Sequence, residues 1–351
     1  MPFPVPKDFG EIYAPVEVAL NIAEGLAKRG HKVTFFGPLG SKSKICETRE
    51  INISPLYKNE ILKLPGAKEK KEREKIFYLF DQYIIALIFK ENLKKKFDII
   101  HIHPIDRALP FALLVKTPIV YTLHDPIYDW RAKIFKMYQT KNQYFISISN
   151  AQRKPAPDLN WVGTIYNGIN LNLFPFETKP KNYLLFLGRI LAKKGVDIAI
   201  KVALKTKENL IIAGDRPDEN FWRKKIKPYL KMKNIKYLGF LPYQKTYKLY
   251  QEAKALLCPI QWEEPFGLTF IESQACGTPV IAFDRGSAKE VIKDGKTGFV
   301  VKNVEEMIKA IKKIDKIKRE DCRKWVEEKF TIERMVSNYE KIYYRIIRRG
   351  N

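Results

Sequence analysis

Long apolar runs are missing from this 351-residue chain. The best attempt, Ile84–Phe89, stops at Lys90, far short of the roughly 18–20 residues that span a bilayer, so no spanning helix is expected. The opening residues Met1–Gly10 have no apolar h-region and do not read as a signal peptide. Cysteine is scarce: Cys46, Cys258, Cys276 and Cys322 lie far apart with no C-x-x-C pair. That excludes a disulfide framework and a finger-type zinc site, and suits unpaired thiols in a reducing cytoplasm. Acidic residues are in short supply, 39 against 64 Lys and Arg, for a formal charge of +25. The excess is scattered, thickening at Lys68–Lys75 and Lys94–Lys96, without an RNA-binding glycine-aromatic signature or finger spacing. Nucleic acid is therefore not expected as a partner. A generally basic surface is the first reading of the charge, and peripheral contact with an anionic membrane on the cytoplasmic side is the second.

What the chain does have is apolar content, 45% hydrophobic with 13% aromatic residues, enough for real cores, and length enough for two domains. Short apolar runs alternate with longer amphipathic segments, the pattern of an α/β protein with parallel sheets. In the first half, Val16–Arg29 has helical spacing and closes at Gly30. Strands are expected at Lys32–Phe36, Asp98–Ile102, Pro118–Thr122 and Tyr144–Ser149, with a long helix over Glu69–Phe97. The periodicity breaks at Asn167–Lys181, as a connection between domains would. A second alternation follows, with strands at Tyr183–Leu187, Leu210–Ala213, Lys236–Leu238, Ala255–Pro259, Pro279–Ala282 and Gly298–Val301. The tail Val304–Arg349 reads as helices only. In doubly wound sheets ligands bind beyond the carboxyl ends of strands, so the informative residues should follow strands.

Two such places stand out. After Tyr183–Leu187 come Gly188-Arg189 and then Lys193-Lys194-Gly195 at the start of a helix, cations beside free helical N–H groups that suit a diphosphate. After Ala255–Pro259 come Glu263-Glu264-Pro265-Phe266-Gly267-Leu268-Thr269-Phe270-Ile271-Glu272, continuing through Ala275-Cys276-Gly277-Thr278-Pro279-Val280-Ile281-Ala282. Gly267 permits close backbone approach at a helix start. Glu264 in the loop and Glu272 on the helix offer carboxylates that accept hydrogen bonds from sugar and ribose hydroxyls.

This second segment resembles the E-x7-E signature of glycosyltransferase family 4, the retaining group 1 transferases of the GT-B fold. Gly188-Arg189 with Lys194-Gly195, Tyr237-Leu238-Gly239, Arg285-Gly286-Ser287 with Glu290-Val291, and Asp294–Phe299 follow in the family's order. So do Leu26–Val33, Asp98–His103, Thr122-Leu123-His124-Asp125, Ser147–Ser149 and Asn167–Asn170, and the resemblance spans residues 14–345. It implies two Rossmann-like domains facing a central cleft. Residues 1–168 would form the acceptor-side domain, with the helix over 332–351 packing back on it, and 169–331 the donor-binding domain.

The resemblance further implies that Arg189 and Lys194 hold the donor diphosphate, with Gly188 beside them. Glu272 would take the ribose hydroxyls and Glu264 the donor sugar. Backbone of Phe266, Gly267, Leu268 and Thr269 would reach sugar or phosphate, the base would lie near Gly239, Phe240 and Leu241, and His124 would contact the sugar near the reacting centre. His124, Glu264, Arg189 and Lys194 are thus the expected catalytic set. The chemistry agrees, because an oxocarbenium-like transition state with an anionic leaving group needs its diphosphate stabilised. The chain has no D-x-D, so no metal and no cofactor is expected beyond the nucleotide diphosphate sugar as co-substrate. The acceptor, a sugar, lipid or small molecule, is not legible.

Simpler roles are expected elsewhere. His101 and His103 alternate on a strand and read as packed or capping residues. Ile76–Phe89 reads first as core packing and second as a membrane-lying face. The amino end departs from the family: Met1–Pro6 begins at the Pro-rich turn, Ala14-Pro15 stands where Gly-Gly would fall, and the first strand is expected to be missing, with the natural start upstream. Two alternatives to a transferase remain, a catalytically silent nucleotide-sugar-binding partner and a nucleotide-sugar epimerase of the same architecture.

Overall fold

The computed structural model describes residues 14–54, 59–67, 69–103 and 105–350. The expectation of a missing first strand falls on residues 1–13 and lies outside the described residues. The chain divides into two compact units. One comprises Met1–Ile148, Arg153–Ile165 and Ile332–Asn351, the other Ser149–Gln152 and Tyr166–Thr331. Ser149–Gln152 and Tyr166–Gly168 thus go with the second unit. The reason is local: Asn150 and Ala151 donate their backbone N–H groups to the Glu290 carboxylate, each at 2.7 Å, and the Tyr166 hydroxyl donates to it at 3.1 Å.

In the first unit β1 (Thr34–Pro38) pairs in parallel with β2 (Glu47–Ile51). A separate four-stranded parallel sheet runs in chain order through β3 (Ile100–Ile102), β4 (Ile119–Thr122), β5 (Gln143–Ser147) and β6 (Trp161–Thr164). Every residue of β4 is buried, as a near-continuous apolar strand covered on both faces must be. Its side chains alternate between two cores. Ile119 and Tyr121 join Ile85, Phe89, Leu109 and Phe135 from the helices Lys70–Lys94, Ile105–Ala112 and Asp129–Tyr138. Val120 turns the other way, to Val18, Ile22 and Leu26 of the helix Ala14–Lys28 and to Met335, Val336 and Tyr339 of the C-terminal helix Ile332–Gly350. That C-terminal helix is strongly amphipathic and lays its apolar stripe here.

The two strands that the periodicity did not announce, β2 and β6, have little apolar signal. β2 buries only Ile51, and β6 is half-exposed along its length.

The second unit holds one six-stranded parallel sheet: β7 (Leu184–Leu187), β8 (Leu210–Ala213), β9 (Ile235–Tyr237), β10 (Ala255–Cys258), β11 (Val280–Phe283) and β12 (Gly298–Val301). The spatial order is β12-β11-β10-β7-β8-β9. The chain therefore winds one way from β7 to β9, returns to the far side of β7, and winds the other way from β10 to β12. The order reverses between β7 and β10, the position where doubly wound sheets bind ligands. Arg319 closes the unit from behind. Its buried guanidinium donates to the carbonyls of Glu177 (2.6 Å), Ala253 (2.9 Å) and Gln251 (2.7 Å) and to the Thr278 hydroxyl (2.6 Å).

Candidate active site

The loops after β7 and β10 flank the reversal and are stitched together. Gln261 donates its N–H to the Lys193 carbonyl at 2.8 Å. Gly195, at φ 76°, ends the turn Ala192–Lys194 and starts the helix Val196–Thr206. A Cβ on it would overlap the Pro259 carbonyl oxygen, so glycine is what lets the two loops touch.

Across this seam Lys194 Nζ donates to Glu264 Oε2 at 2.6 Å. The pair is largely shielded from solvent. Trp262 Nε1 donates to the same oxygen at 3.0 Å, and the Lys193 and Lys194 ammonium groups lie 4.3 and 4.9 Å from the Trp262 ring centroid. The indole thus serves the pair twice, as a hydrogen-bond donor and as a cation–π face. Close by, burial holds the Cys258 thiol protonated, with the Lys194 charge pulling its pKa down and the Glu264 charge pushing it up. Arg189, in the same loop as Lys194, is exposed, and its guanidinium has no ion pair or hydrogen bond with a described residue. Of the two expected diphosphate cations, one is therefore tied to a carboxylate and one is open. An ammonium has three donors, so Lys194 can serve Glu264 and an anion together.

Glu272 projects from the helix Leu268–Ala275 and is buried. Tyr243 and Tyr250 donate their hydroxyls to its two oxygens, at 3.0 and 2.8 Å. Burial and the neighbouring carboxylate push the Tyr250 hydroxyl well above its ordinary pKa, so it stays a donor. Gly267 precedes this helix at φ 78° with no side-chain cap, which leaves first-turn N–H groups, those of Leu268 and Thr269, as donors at the helix start. Phe266 turns its ring inward, buried beside Tyr166 and Phe330; only its backbone is left for a ligand, because an apolar ring gains more from the core. Gly188 and Gly239 lie at the ends of β7 and β9. Gly188 N–H donates to Ala213 and Gly214 N–H to Gly239, which keeps the rim open and side-chain-free. Phe240 beyond it is 49% exposed, and Leu241 is half-buried.

His124 belongs to the first unit, two residues beyond β4. Its Nε2 lies 2.7 Å from Nδ1 of His103, which follows the adjacent β3, and the two rings stack at 5.0 Å. His101 hydrogen-bonds the Thr122 hydroxyl through Nε2 at 2.8 Å and the Tyr343 hydroxyl through Nδ1 at 2.6 Å. Burial lowers the pKa of His124 to about 4 and that of His101 to about 3, and His103 is also lowered. Neutral imidazoles follow, so a single N–H bridges His103 and His124 and couples their tautomers: whichever ring donates, the other presents a bare nitrogen.

The comparisons settle the family. Residues 173–330 match the family described as Glycosyl transferases group 1, and residues 16–173 match Glycosyltransferase Family 4. A 41.2 kDa protein of the cps region of Klebsiella pneumoniae is 31% identical over 302 residues, 74% of this chain and 82% of that one. The chain belongs to the group 1 glycosyltransferases of family 4 type. This glycosyltransferase is also 28% identical, over 82% of its length and 85% of the relative's, to an uncharacterized glycosyltransferase of Methanocaldococcus jannaschii. Its fold matches that of the Anabaena protein HepE in complex with UDP and glucose at a TM-score of 0.70 and 16% identity, covering 95% of this chain and 97% of that one. The architecture is GT-B, two Rossmann-like domains with parallel sheets.

Sequence reasoning missed Trp262, Tyr243, Tyr250 and His103 as partners of the site. Trp262 sits two residues before Glu264 and could have been flagged as an aromatic in a polar loop. The tyrosines lie on a different helix, and nothing in their spacing points to Glu272.

Proposed function

We propose that this glycosyltransferase moves a hexose from a UDP- or GDP-type donor to a sugar, lipid or small-molecule acceptor, with retention of configuration and without a metal. The observation that carries the reading is the Lys194–Glu264 pair at the β7/β10 reversal, with Trp262 on it and open Arg189 in the same loop. Cations there meet the charge that builds on the departing nucleotide diphosphate, the main electrostatic task in glycosyl transfer. Glu264, oriented by Lys194 and Trp262, offers its remaining lone pairs to sugar hydroxyls. Glu272, held by two tyrosines, is the candidate for the ribose hydroxyls, and the family resemblance assigns His124 to the donor sugar.

In the front-face course, the bond between the anomeric carbon and the phosphate oxygen breaks while the acceptor oxygen bonds to the same face. The departing phosphate oxygen takes the acceptor's proton, so no protein nucleophile is consumed. That a protein of the same fold is solved with UDP and glucose favours a uridine donor as the first trial.

A panel of UDP- and GDP-sugars scored by thermal shift, then by release of the nucleotide diphosphate, tests this. The expected result is stabilisation by one donor and slow release that depends on Glu264 and persists in EDTA. Binding without release would favour the silent partner, and release restored only by magnesium or manganese would end the metal-free reading.

A further inference from the structure

The helices Lys70–Lys94, Ile105–Ala112 and Asp129–Tyr138 cover one face of the four-stranded sheet, with Ile85, Phe89, Leu109 and Phe135 turned into its core. Exposed large apolar side chains concentrate on the long helix and on Asp129–Tyr138: Tyr78, Leu79, Tyr83 and Leu93 on the first, Trp130, Ile134 and Met137 on the second, with Leu113, Leu114 and Tyr128 in the segments that flank the shorter helices. Single exposed apolar residues are ordinary, whereas a concentration on one layer marks an interaction surface.

The pattern on the long helix is ordered. Lys71, Lys75, Leu79, Tyr83, Lys90 and Lys94 fall within one arc of the helical wheel, and all six are exposed. Glu72 shares the arc and pairs with Lys75 at 2.7 Å, which leaves Lys71, Lys90 and Lys94 as the cations of the stripe that no carboxylate within it holds. Leu79 is 61% exposed and Tyr83 50% exposed. The stripe reads basic, apolar, basic along a helix of 25 residues. On the shorter helix Trp130, Ile134 and Met137 form a second exposed stripe at helical spacing, with Lys133 between them.

We infer that this helical layer docks the protein on an anionic lipid bilayer surface. A membrane interface takes apolar side chains into its acyl boundary, aromatic rings at the level of its headgroups, and lysines against anionic phosphates. Both stripes carry all three kinds. The net charge of +25 attracts the whole molecule to such a surface. A second copy of this chain would bring lysines against lysines, which makes it the poorer occupant. No described helix is long and apolar enough to cross a membrane, so the contact would be a lying one.

Flotation of the full chain with phosphatidylglycerol-containing vesicles, and with pure phosphatidylcholine vesicles, tests the inference. Wild type is expected to float with the anionic vesicles only, and added salt to weaken but not abolish binding. Lys71→Glu with Lys90→Glu should weaken binding about fivefold per lysine. Leu79→Ser with Tyr83→Ser, and separately Trp130→Ser with Met137→Ser, should weaken it at least tenfold at unchanged thermal stability. Equal flotation of wild type and the apolar variants would overturn the inference. So would absence of flotation, retention on DNA that the apolar variants leave intact while lipid binding is nil, or a concentration-dependent dimer that the same variants abolish.

Discussion

Ion pairs such as Arg131–Asp106 occur in the first unit too, but the two units hold their candidate site groups by opposite means. In the second, charges are held by charges and by donors: Lys194 on Glu264, two tyrosines on Glu272, Tyr166 and two N–H groups on Glu290. In the first, the candidate group is one of three partly buried imidazoles kept neutral by their surroundings. All four histidines of the chain, His31, His101, His103 and His124, are in the first unit and none in the second. A site built on ion pairs suits the diphosphate of an intact nucleotide sugar, esterified at both ends, whose charge does not change near neutral pH. A site built on neutral imidazoles suits hydroxyl groups, but it has a pH below which it fails.

Acid should expose this contrast most. An unfolded histidine binds its proton near pH 6.5, while folded His124 resists until about 4 and His101 until about 3. Between these values the unfolded chain holds more protons, so stability falls as pH falls, by about 1.4 kcal/mol per pH unit for each histidine fully in that window. Hydrogen exchange at pH 7 and pH 5 should show protection lost first in β3, β4 and the C-terminal helix, and retained in β7 and β10. Equal loss in both units would erase the distinction.

Next in size is the charge seam. Lys194→Met strands Glu264 beside Trp262 and removes a diphosphate cation, and donor turnover should drop about 100- to 1,000-fold, the range seen when one transition-state donor is lost. Arg189→Met, at an exposed position, should lower turnover while shifting the melting midpoint little, as surface changes within about 0.5 kcal/mol do. If both variants cost the same stability, the seam would not be the shielded pair described.

The histidine pair sharpens the other half of the contrast. His103→Leu should reduce kcat about tenfold or more by freeing the His124 ring, while His103→Asn, which keeps a polar group near the Nδ1 position, should recover most of it. A smaller effect is expected from Tyr250→Phe, which removes one donor from buried Glu272 and should cost about 1–3 kcal/mol in urea unfolding together with a raised donor KM.

Much of this was legible in the order of residues, unevenly so. Buried strands such as β4, β7 and β10 announce themselves as apolar runs, because a strand covered on both faces has no polar side. β2 and β6 do not, since edge strands need apolar residues on one face at most. At the site, Glu264, Arg189 and Lys194 are visible as charges placed after strands. That Lys194 is already committed to Glu264 is not visible, because the contact spans seventy residues and depends on β10 lying beside β7. The hydroxyls around Glu272 and the imidazole behind His124 come from other elements, and sequence spacing carries no record of them.

The first unit is also interrupted by the second. Its core is completed by Met335, Val336, Tyr339 and Ile342, which leave the ribosome after the second unit, itself fully synthesised once Thr331 has emerged. The nascent chain therefore holds the Val18, Ile22 and Val120 face uncovered while its neighbour folds, and domains that fold as units during synthesis are prone to capture at such a stage. Any change that delays docking of the helix Ile332–Gly350 would lengthen that exposure, and chaperone demand in the cell should track that helix rather than the site.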